Sequence, residues 1–473
     1  MEAGVSDTDR VIGPRVRAVE NMVARAREKT GTQSGGPACL NCRVTLWMSF
    51  FFDGTGNHRD TDFPRTHSNV AALFDAHEDD RRIGVIPFYY EGVGTPFEFA
   101  GRHERVPVPS PHSVQWVDKE GYTEGESSWN KAFGRGLEIR LEKAIFDLQS
   151  TIELQQSRTR VDAINIAVFG FSRGATEARA FANWLGSHSK IRRSGANLTY
   201  DGIPLNFKFM GLFDTVESVG GAGTNKRPEL VKVSLPDYVQ KCAHVVAAHE
   251  LRDAFPLTGL GTNRYTQIVY PGAHADIGGG YADNEQGRHD KLARVALLQM
   301  LDHARGAGLK MNSVPEMKAS ALWESRYRPS FDVATEHRKA LDDYLACVGR
   351  KHGLLTEVFA SHMELYWDWI DSGLAMEDIQ MKSEGVDGGY RSSDARSFRT
   401  MAHLLRFRAR TREGRGASRF PPKRGAVPAE VEMFFERYVH DSFEHFSLTG
   451  GTMMTDLSTA DYYEVRQIHA PRA

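Results

Sequence analysis

The sequence AINIAVFGFSRGATEARAF, residues 163–181, contains the clearest structural signal in the chain. Its first part, Ala163–Gly170, is a continuous apolar run, which is typical of a strand buried on both faces of a parallel sheet. The small residues of Ala175–Leu185 predict a helix, and Gly170-Phe171-Ser172-Arg173-Gly174 lies between the two elements. A strand, a sharp turn with glycine on both sides and a helix form an elbow that lifts a serine hydroxyl clear of the sheet. The sequence therefore predicts Ser172 as a nucleophile.

Strand and helix patterns alternate outward from this elbow. Further apolar runs predict strands at Val44–Phe52, Arg82–Tyr90, Phe207–Phe213 and Thr266–Tyr270. Helical spacing predicts helices at Ser128–Gln155 and Lys291–Ala307. Strands separated by helices indicate a mainly parallel sheet with helices packed on it. We therefore expect an α/β fold with a mostly helical insertion or cap.

The same patterns divide the chain into four expected segments. Residues 1–42 form a peripheral N-terminal segment, and residues 43–290 form the catalytic core. Residues 291–430 form the mostly helical insertion or cap, which includes a basic run at 406–424. An aromatic helical stretch, Phe359–Trp369, is either a lid or part of a core. Residues 431–473 return to the core sheet.

Composition excludes several classes of protein. The chain has 473 residues, 41% of them hydrophobic, and a net charge of -2, so no global field favours nucleic acid or an acidic membrane. No run of about 18 apolar residues predicts a membrane span. The first 20 residues lack the apolar core of a secretory signal. We expect a protein made in the cytoplasm without a signal peptide, and no cofactor.

A serine nucleophile needs a base that an acid orients. Asp214 follows the strand Phe207–Phe213, and His274 lies in a glycine-rich loop after Thr266–Tyr270. The chain order Ser172, Asp214, His274 matches the α/β-hydrolase type. His440, in Val439-His440-Asp441-Ser442, is an alternative base.

The developing oxyanion needs two N–H donors. Arg173, directly after the nucleophile, is expected to supply one. Gly54 or Thr55, in the turn Asp53-Gly54-Thr55-Gly56-Asn57, is expected to supply the other. A metal held by Asp53 and Asp276 is a rival interpretation, but such a site normally needs more ligands than the sequence shows, so we predict no metal.

Four motifs in this order resemble those of the α/β-hydrolase domain of type VI secretion lipase effectors. They cover roughly 44–282, and the segment 431–470 resembles the family more loosely. The motifs are Phe52-Asp53-Gly54-Thr55-Gly56-Asn57, Gly170-Phe171-Ser172-Arg173-Gly174-Ala175, Phe213-Asp214-Thr215-Val216 and Gly272-Ala273-His274-Ala275-Asp276-Ile277-Gly278-Gly279-Gly280-Tyr281.

The resemblance implies a triad of Ser172, Asp214 and His274 and a phospholipase A activity on bacterial glycerophospholipids. It also implies secretion by a type VI system into the periplasm of a target cell, a secretion carrier and a cognate immunity protein. The net charge and the lack of a recognised binding module predict no nucleic-acid partner. Two alternatives stay open. One is an esterase or thioesterase of the same fold acting on small molecules, and the other is an interaction module without catalysis.

Overall fold

The structure is a computed structural model. It describes residues 7–29, 39–100, 102–103, 106–110, 113–117, 129–217, 231–252, 255–375, 426–442 and 465–472. No helix among these residues is long and apolar enough to cross a membrane.

The strands of the described residues are β1 (Cys39–Phe52), β2 (Val85–Tyr90), β3 (Glu98–Phe99), β4 (Arg102–His103), β5 (Val106–Ser110), β6 (Ser113–Val117), β7 (Thr159–Phe171), β8 (Ile191–Ser194), β9 (Asn197–Tyr200), β10 (Ile203–Phe213), β11 (Cys242–Ala247), β12 (Leu257–Thr258), β13 (Thr266–Tyr270) and β14 (Ile468–His469). The main sheet has the order β13-β11-β10-β7-β1-β2, and all neighbours in it pair in parallel. The hairpin β8–β9 adds to it beside β10 in antiparallel orientation. The predicted α/β fold is confirmed.

The helices of the described residues are α1 (Asp7–Lys29), α2 (Arg59–Asp62), α3 (Asn69–Ala76), α4 (Trp129–Gln156), α5 (Arg173–Leu185), α6 (His274–Gly278), α7 (Lys291–Gly306), α8 (Val314–Ala319), α9 (Arg328–Phe331), α10 (Thr335–Cys347), α11 (Leu355–Asp371) and α12 (Ala429–Tyr438), with a π-helical turn at Trp323–Tyr327 before α9. Two apolar clusters lie on opposite faces of the sheet. Residues of α1, α4 and α5 contribute to one cluster, and residues of α3, α7, α10, α11 and α12 contribute to the other. Side chains of β1 alternate between them, because Phe51 belongs to one cluster while Phe50 and Phe52 belong to the other.

Strand register brings three candidate residues to one edge of the sheet. Phe52 of β1 pairs with Gly170 of β7, and Phe213 of β10 pairs with Phe171. The residues that follow these strands are Asp53, Ser172 and Asp214, and they therefore lie side by side at the carboxyl edge of the sheet. Ligand sites of open parallel sheets lie at this edge.

The N-terminal segment differs from the expectation of a peripheral piece. Helix α1 packs against α4, and its side chains Ile12, Val16 and Val19 are fully buried in the core. The apolar spacing in this helix is interrupted by charged residues and by Pro14, which hid it in the sequence. Residues 7–29 are therefore part of the layer that covers one face of the sheet.

The helical region after the core also differs in part from a cap. Helix α7 packs directly on β10 and β11, so it is a covering helix of the sheet. In α11, Phe359, Met363 and Trp369 are buried, which makes this stretch part of an apolar core and not an exposed lid. The basic run 406–424 lies outside the described residues.

The C-terminal segment returns to the core at a different place from the expected one. Strand β14 pairs in parallel with β12, and these two strands form a sheet of their own. Its position matters because Thr258 of β12 donates its N–H to the carbonyl of Thr215, just after β10. The end of the chain thus lies against the carboxyl edge of the main sheet.

Candidate active site

Ser172 forms the turn between β7 and α5. Its backbone has φ 58° and ψ −122°, a strained conformation that few non-glycine residues adopt. A Cβ at Gly174 would lie only 2.2 Å from the carbonyl oxygen of Phe52, so this position requires glycine for α5 to approach β1. Ser172 also donates its N–H to the Phe213 carbonyl at 3.0 Å, which ties the elbow to the end of β10.

Asp214, the candidate acid, directly follows β10 and is fully buried. Its Oδ2 lies 2.5 Å from Nδ1 of His274. Its Oδ1 accepts hydrogen bonds from the Ala247 N–H at 2.9 Å and from Arg466 Nη1 at 2.6 Å. Burial opposes ionisation, but Arg466 and His274 together outweigh it and hold the pKa of Asp214 well below its usual range. The carboxylate is therefore ionised and fixed in orientation.

His274, the candidate base, begins α6 just after β13. Its ring lies between aromatic neighbours, with centroids 4.6 Å from Phe171 and 5.1 Å from Phe255. Burial lowers the pKa of His274, and Asp214 only partly opposes this effect. The imidazole is thus neutral at pH 7, as a general base must be. Among the described residues, the Ser172 hydroxyl makes no hydrogen bond with this imidazole, and such bonds often tighten only when substrate binds.

A buried ion pair supports the backbone of His274. Glu250 accepts the His274 N–H at 3.2 Å, and its two oxygens bind Arg252 at 2.8 Å each. Arg252 lies over the Phe255 ring, 3.7 Å from its centroid. Sequence reasoning missed this pair because it overlooked β11. A charged Glu-x-Arg that begins three residues after the end of a recognised strand would have been a usable signal.

Arg466 is the second contributor that sequence reasoning missed. It is buried, and besides Asp214 it donates to the Ala247 carbonyl at 3.0 Å and twice to the Phe255 carbonyl at 3.0 and 2.9 Å. A lone arginine near the end of the chain carries no motif, so only the folded chain reveals its position. Its positive charge balances the negative charge of the Asp214 carboxylate. Its hydrogen bonds connect β10, β11 and the loop that contains Phe255.

We expect Arg466→Met to destabilise the protein by about 3–5 kcal/mol at pH 7, because it leaves the buried Asp214 carboxylate without its cation. The folded pKa of Asp214 is depressed, so its stabilising contribution is present above the unfolded value of about 4 and is lost as pH falls further. The difference between wild type and variant should therefore shrink between pH 7 and pH 3. Urea unfolding at both pH values measures it.

Arg192→Met is the matched control, since Arg192 is exposed on the β8–β9 hairpin. It should change stability by less than about 0.5 kcal/mol at either pH. An Arg466→Met deficit that stays equal at pH 7 and pH 3 would assign the loss to packing and not to the charge pair.

His440, the alternative base, has a different carboxylate partner. Its Nδ1 lies 2.6 Å from Oδ1 of Asp276, and its N–H donates to Oδ2 at 3.0 Å. Its ring stacks on Tyr281 with centroids 4.0 Å apart. Asp276 belongs to α6, two residues after His274, so His440 holds the helix that carries His274. In the described part of the chain no hydrogen bond joins His440 to Asp214.

The loop after β1 holds the remaining candidates. The Gly54 N–H donates to the carboxylate of Asp53 at 2.7 Å, so this amide is already engaged, whereas Thr55 follows it in the same turn. Arg173 is the first residue of α5, where N–H groups have no acceptor within the helix. The loop therefore favours Thr55 over Gly54 as the second donor.

Asp53 and Asp276 do not come together as a metal site in the described part of the chain. Asp53 accepts hydrogen bonds from Tyr89 at 2.5 Å and Ser68 at 2.7 Å, and burial raises its pKa to about 6. Asp276 is engaged by His440. No group of three or more histidine, cysteine or acidic side chains suited to a metal occurs among the described residues.

Comparisons with known proteins identify the family. A sequence model described as "T6SS, Phospholipase effector Tle1-like, catalytic domain" matches residues 48–201 and 187–303. None of the curated proteins compared with the chain matches it.

Two solved structures are similar to this one. The crystal structure of an uncharacterized protein from Pseudomonas aeruginosa has a TM-score of 0.58 and 19% identity, covering 99% of this chain and 83% of that one, which shows a shared fold. The structure of the Tle1 effector bound to the VgrG spike from the type 6 secretion system has a TM-score of 0.43 and 17% identity, covering 69% of this chain and 84% of that one. Because the family model spans more than half of the chain, the protein belongs to the Tle1-like phospholipase effectors of the type VI secretion system, and it is an antibacterial lipid ester hydrolase.

Proposed function

We propose that the protein is a phospholipase A that cleaves an acyl ester of bacterial glycerophospholipids with Ser172, His274 and Asp214 as its triad. The observation that carries this proposal is the 2.5 Å contact between His274 Nδ1 and Asp214 Oδ2 beside the strained Ser172 turn. A carboxylate on Nδ1 leaves Nε2 as the proton acceptor, which is the tautomer that a serine nucleophile needs.

The reaction proceeds through an acyl-enzyme. Ser172 Oγ attacks the ester carbonyl carbon while His274 Nε2 takes the hydroxyl proton. The tetrahedral intermediate places its negative charge at the donors after β1 and at the start of α5. Its collapse breaks the ester bond, and His274 returns the proton to the departing lysophospholipid alkoxide. Water, deprotonated by His274, then releases the fatty acid and restores Ser172.

Product analysis tests the bond that is cleaved. Vesicles of phosphatidylethanolamine and phosphatidylglycerol with palmitate at sn-1 and oleate at sn-2 are incubated with the protein, and products are identified by mass spectrometry. We expect a free fatty acid and the matching lysophospholipid in equal amounts. Palmitate release assigns an A1 enzyme and oleate release an A2 enzyme, whereas diacylglycerol or phosphatidic acid would contradict the proposal.

A soluble short-chain ester separates the second candidate activity. Turnover of p-nitrophenyl butyrate without any release from vesicles would indicate an esterase of small molecules. In either case, a fluorophosphonate probe should label wild type at Ser172 and abolish activity in step with labelling. A protein that hydrolyses lipid while unreactive to the probe would overturn the serine mechanism.

The family also supports proposals about delivery. We propose that a secretion carrier takes the protein into the periplasm of a target cell, and that a cognate immunity protein protects the producer. Expression of the protein fused to a periplasmic signal should arrest growth, while expression without the signal should not. Equal growth in the two cases would contradict the periplasmic target.

A further inference from the structure

The loop after β1 touches both sides of the nucleophile. A Cβ at Gly54 would lie 2.4 Å from Cδ1 of Phe171, the residue before Ser172. A Cβ at Gly174, two residues after Ser172, would lie 2.3 Å from the Asp53 carbonyl oxygen. Thr55 therefore belongs to a loop that is in direct contact with the elbow.

Most N–H groups of this loop are committed to other acceptors. The Gly54 N–H donates to Asp53 at 2.7 Å, the Gly56 N–H to the Val93 carbonyl at 2.9 Å, and the Asn57 N–H to the Gly54 carbonyl at 2.9 Å. Among the described residues, the Thr55 N–H has no acceptor. Of the four N–H groups from Gly54 to Asn57, the Thr55 N–H is therefore the one that can still donate a hydrogen bond to a substrate.

The hydroxyl of Thr55 likewise lacks a hydrogen-bond partner among the described residues, and its oxygen is buried. Burial of a hydroxyl without a partner costs free energy, so this arrangement indicates a partner that arrives with the substrate. The surrounding contacts hold the loop rigidly, because Asp53 accepts from Tyr89, Ser68 and Gly54 at once.

On the basis of the function proposed above, we propose that Thr55 is a catalytic residue with two donors. Its hydroxyl and its backbone N–H both donate hydrogen bonds to the oxyanion of the tetrahedral intermediate. The two donors lie on one residue, so the same loop position fixes both. The hydroxyl interacts weakly with the neutral ester carbonyl and strongly with the oxyanion, and its contribution therefore appears in kcat.

The test compares Thr55→Val with Thr55→Ser. Valine keeps the N–H, the branched shape and nearly the same volume but lacks the hydroxyl, whereas serine keeps the hydroxyl. We expect Thr55→Val to lower kcat by about 10²–10³-fold with little change in KM, as for loss of one oxyanion donor. Thr55→Ser should stay within about tenfold of wild type. Rates are measured on p-nitrophenyl butyrate and on the mixed phospholipid vesicles.

Two further readouts distinguish catalysis from structure. A trifluoromethyl ketone with an acyl chain forms a tetrahedral oxyanion on a serine nucleophile, so its affinity should fall in Thr55→Val by a similar factor to kcat. The melting temperature of Thr55→Val should equal or exceed that of wild type, because valine removes an unpaired buried hydroxyl. A hydroxyl with a structural role would lower it instead.

Three results would overturn the proposed role of the Thr55 hydroxyl, and one of them would also overturn the proposed function. Unchanged kcat and unchanged ketone affinity in Thr55→Val would overturn the role of the hydroxyl while Ser172 remains reactive to fluorophosphonate. Equal losses in the valine and serine variants would assign the effect to packing and also overturn it. A wild-type protein without activity or probe labelling would overturn both this role and the proposed function.

Discussion

Replacing Ser172 by alanine is expected to lower the rate of fatty-acid release from phospholipid vesicles by about 10⁴–10⁶-fold. Alanine removes the oxygen that we propose attacks the ester, and the proposed oxyanion donors alone should supply only residual catalysis. Alanine also fits the turn, since it is smaller than serine at a buried position, so the protein should remain folded. Initial rates by mass spectrometry and the melting temperature measure the two effects.

Ser194→Ala is the control, since Ser194 is exposed in the β8–β9 hairpin, and it should keep wild-type activity. His274→Ala should lose activity to the same extent as Ser172→Ala, because the two residues act as a unit. Activity retained in His274→Ala and lost in His440→Ala would transfer the role of base to His440.

Asp214→Asn is expected to lower kcat by about 10⁴-fold while leaving the site geometry intact. The amide oxygen can still accept from Arg466 and the Ala247 N–H, which orients the NH₂ group toward Nδ1 of His274. Donation to Nδ1 places the ring proton on Nε2, where it cannot accept a proton from the nucleophile. Steady-state rates and the melting temperature report the change.

A double variant separates catalysis from charge balance. Asp214→Asn alone leaves the Arg466 guanidinium buried without its anion, so it should also destabilise the fold. Arg466→Met in the same chain removes that unpaired charge and should restore part of the lost stability. Activity should stay low in the double variant. Recovery of activity together with stability would show that Asp214 acts only through folding.

The sequence predicted the central fold because its signals are local. Buried parallel strands are continuous apolar runs, and β7 and β13 lie where their patterns predict them. Strand β11 was not predicted, because its apolar run is short and is interrupted by His244. In the structure His244 is buried and accepts the Thr215 N–H. Helix α1 was not recognised, because the few apolar side chains that it buries are separated by charged residues in the sequence.

The candidate site was predictable only where a residue follows a strand end or sits in a glycine-rich turn. Ser172, Asp214 and His274 meet these conditions, and the structure brings Asp214 and His274 into contact. Arg466 and Glu250 do not, because their positions depend on tertiary contacts across long stretches of chain. The choice between Gly54 and Thr55 likewise depends on which amide another group has already engaged.

The contact between Asp214 and Arg466 joins residues 252 positions apart and has a consequence for synthesis on the ribosome. All strands of the main sheet precede Arg466 in the chain, so they are synthesised before the cation that pairs with Asp214. Contacts between residues so distant in sequence form slowly during folding, so we expect β14 to dock late. A chain arrested before residue 466 should therefore leave the Asp214 carboxylate without its cation and should lack activity.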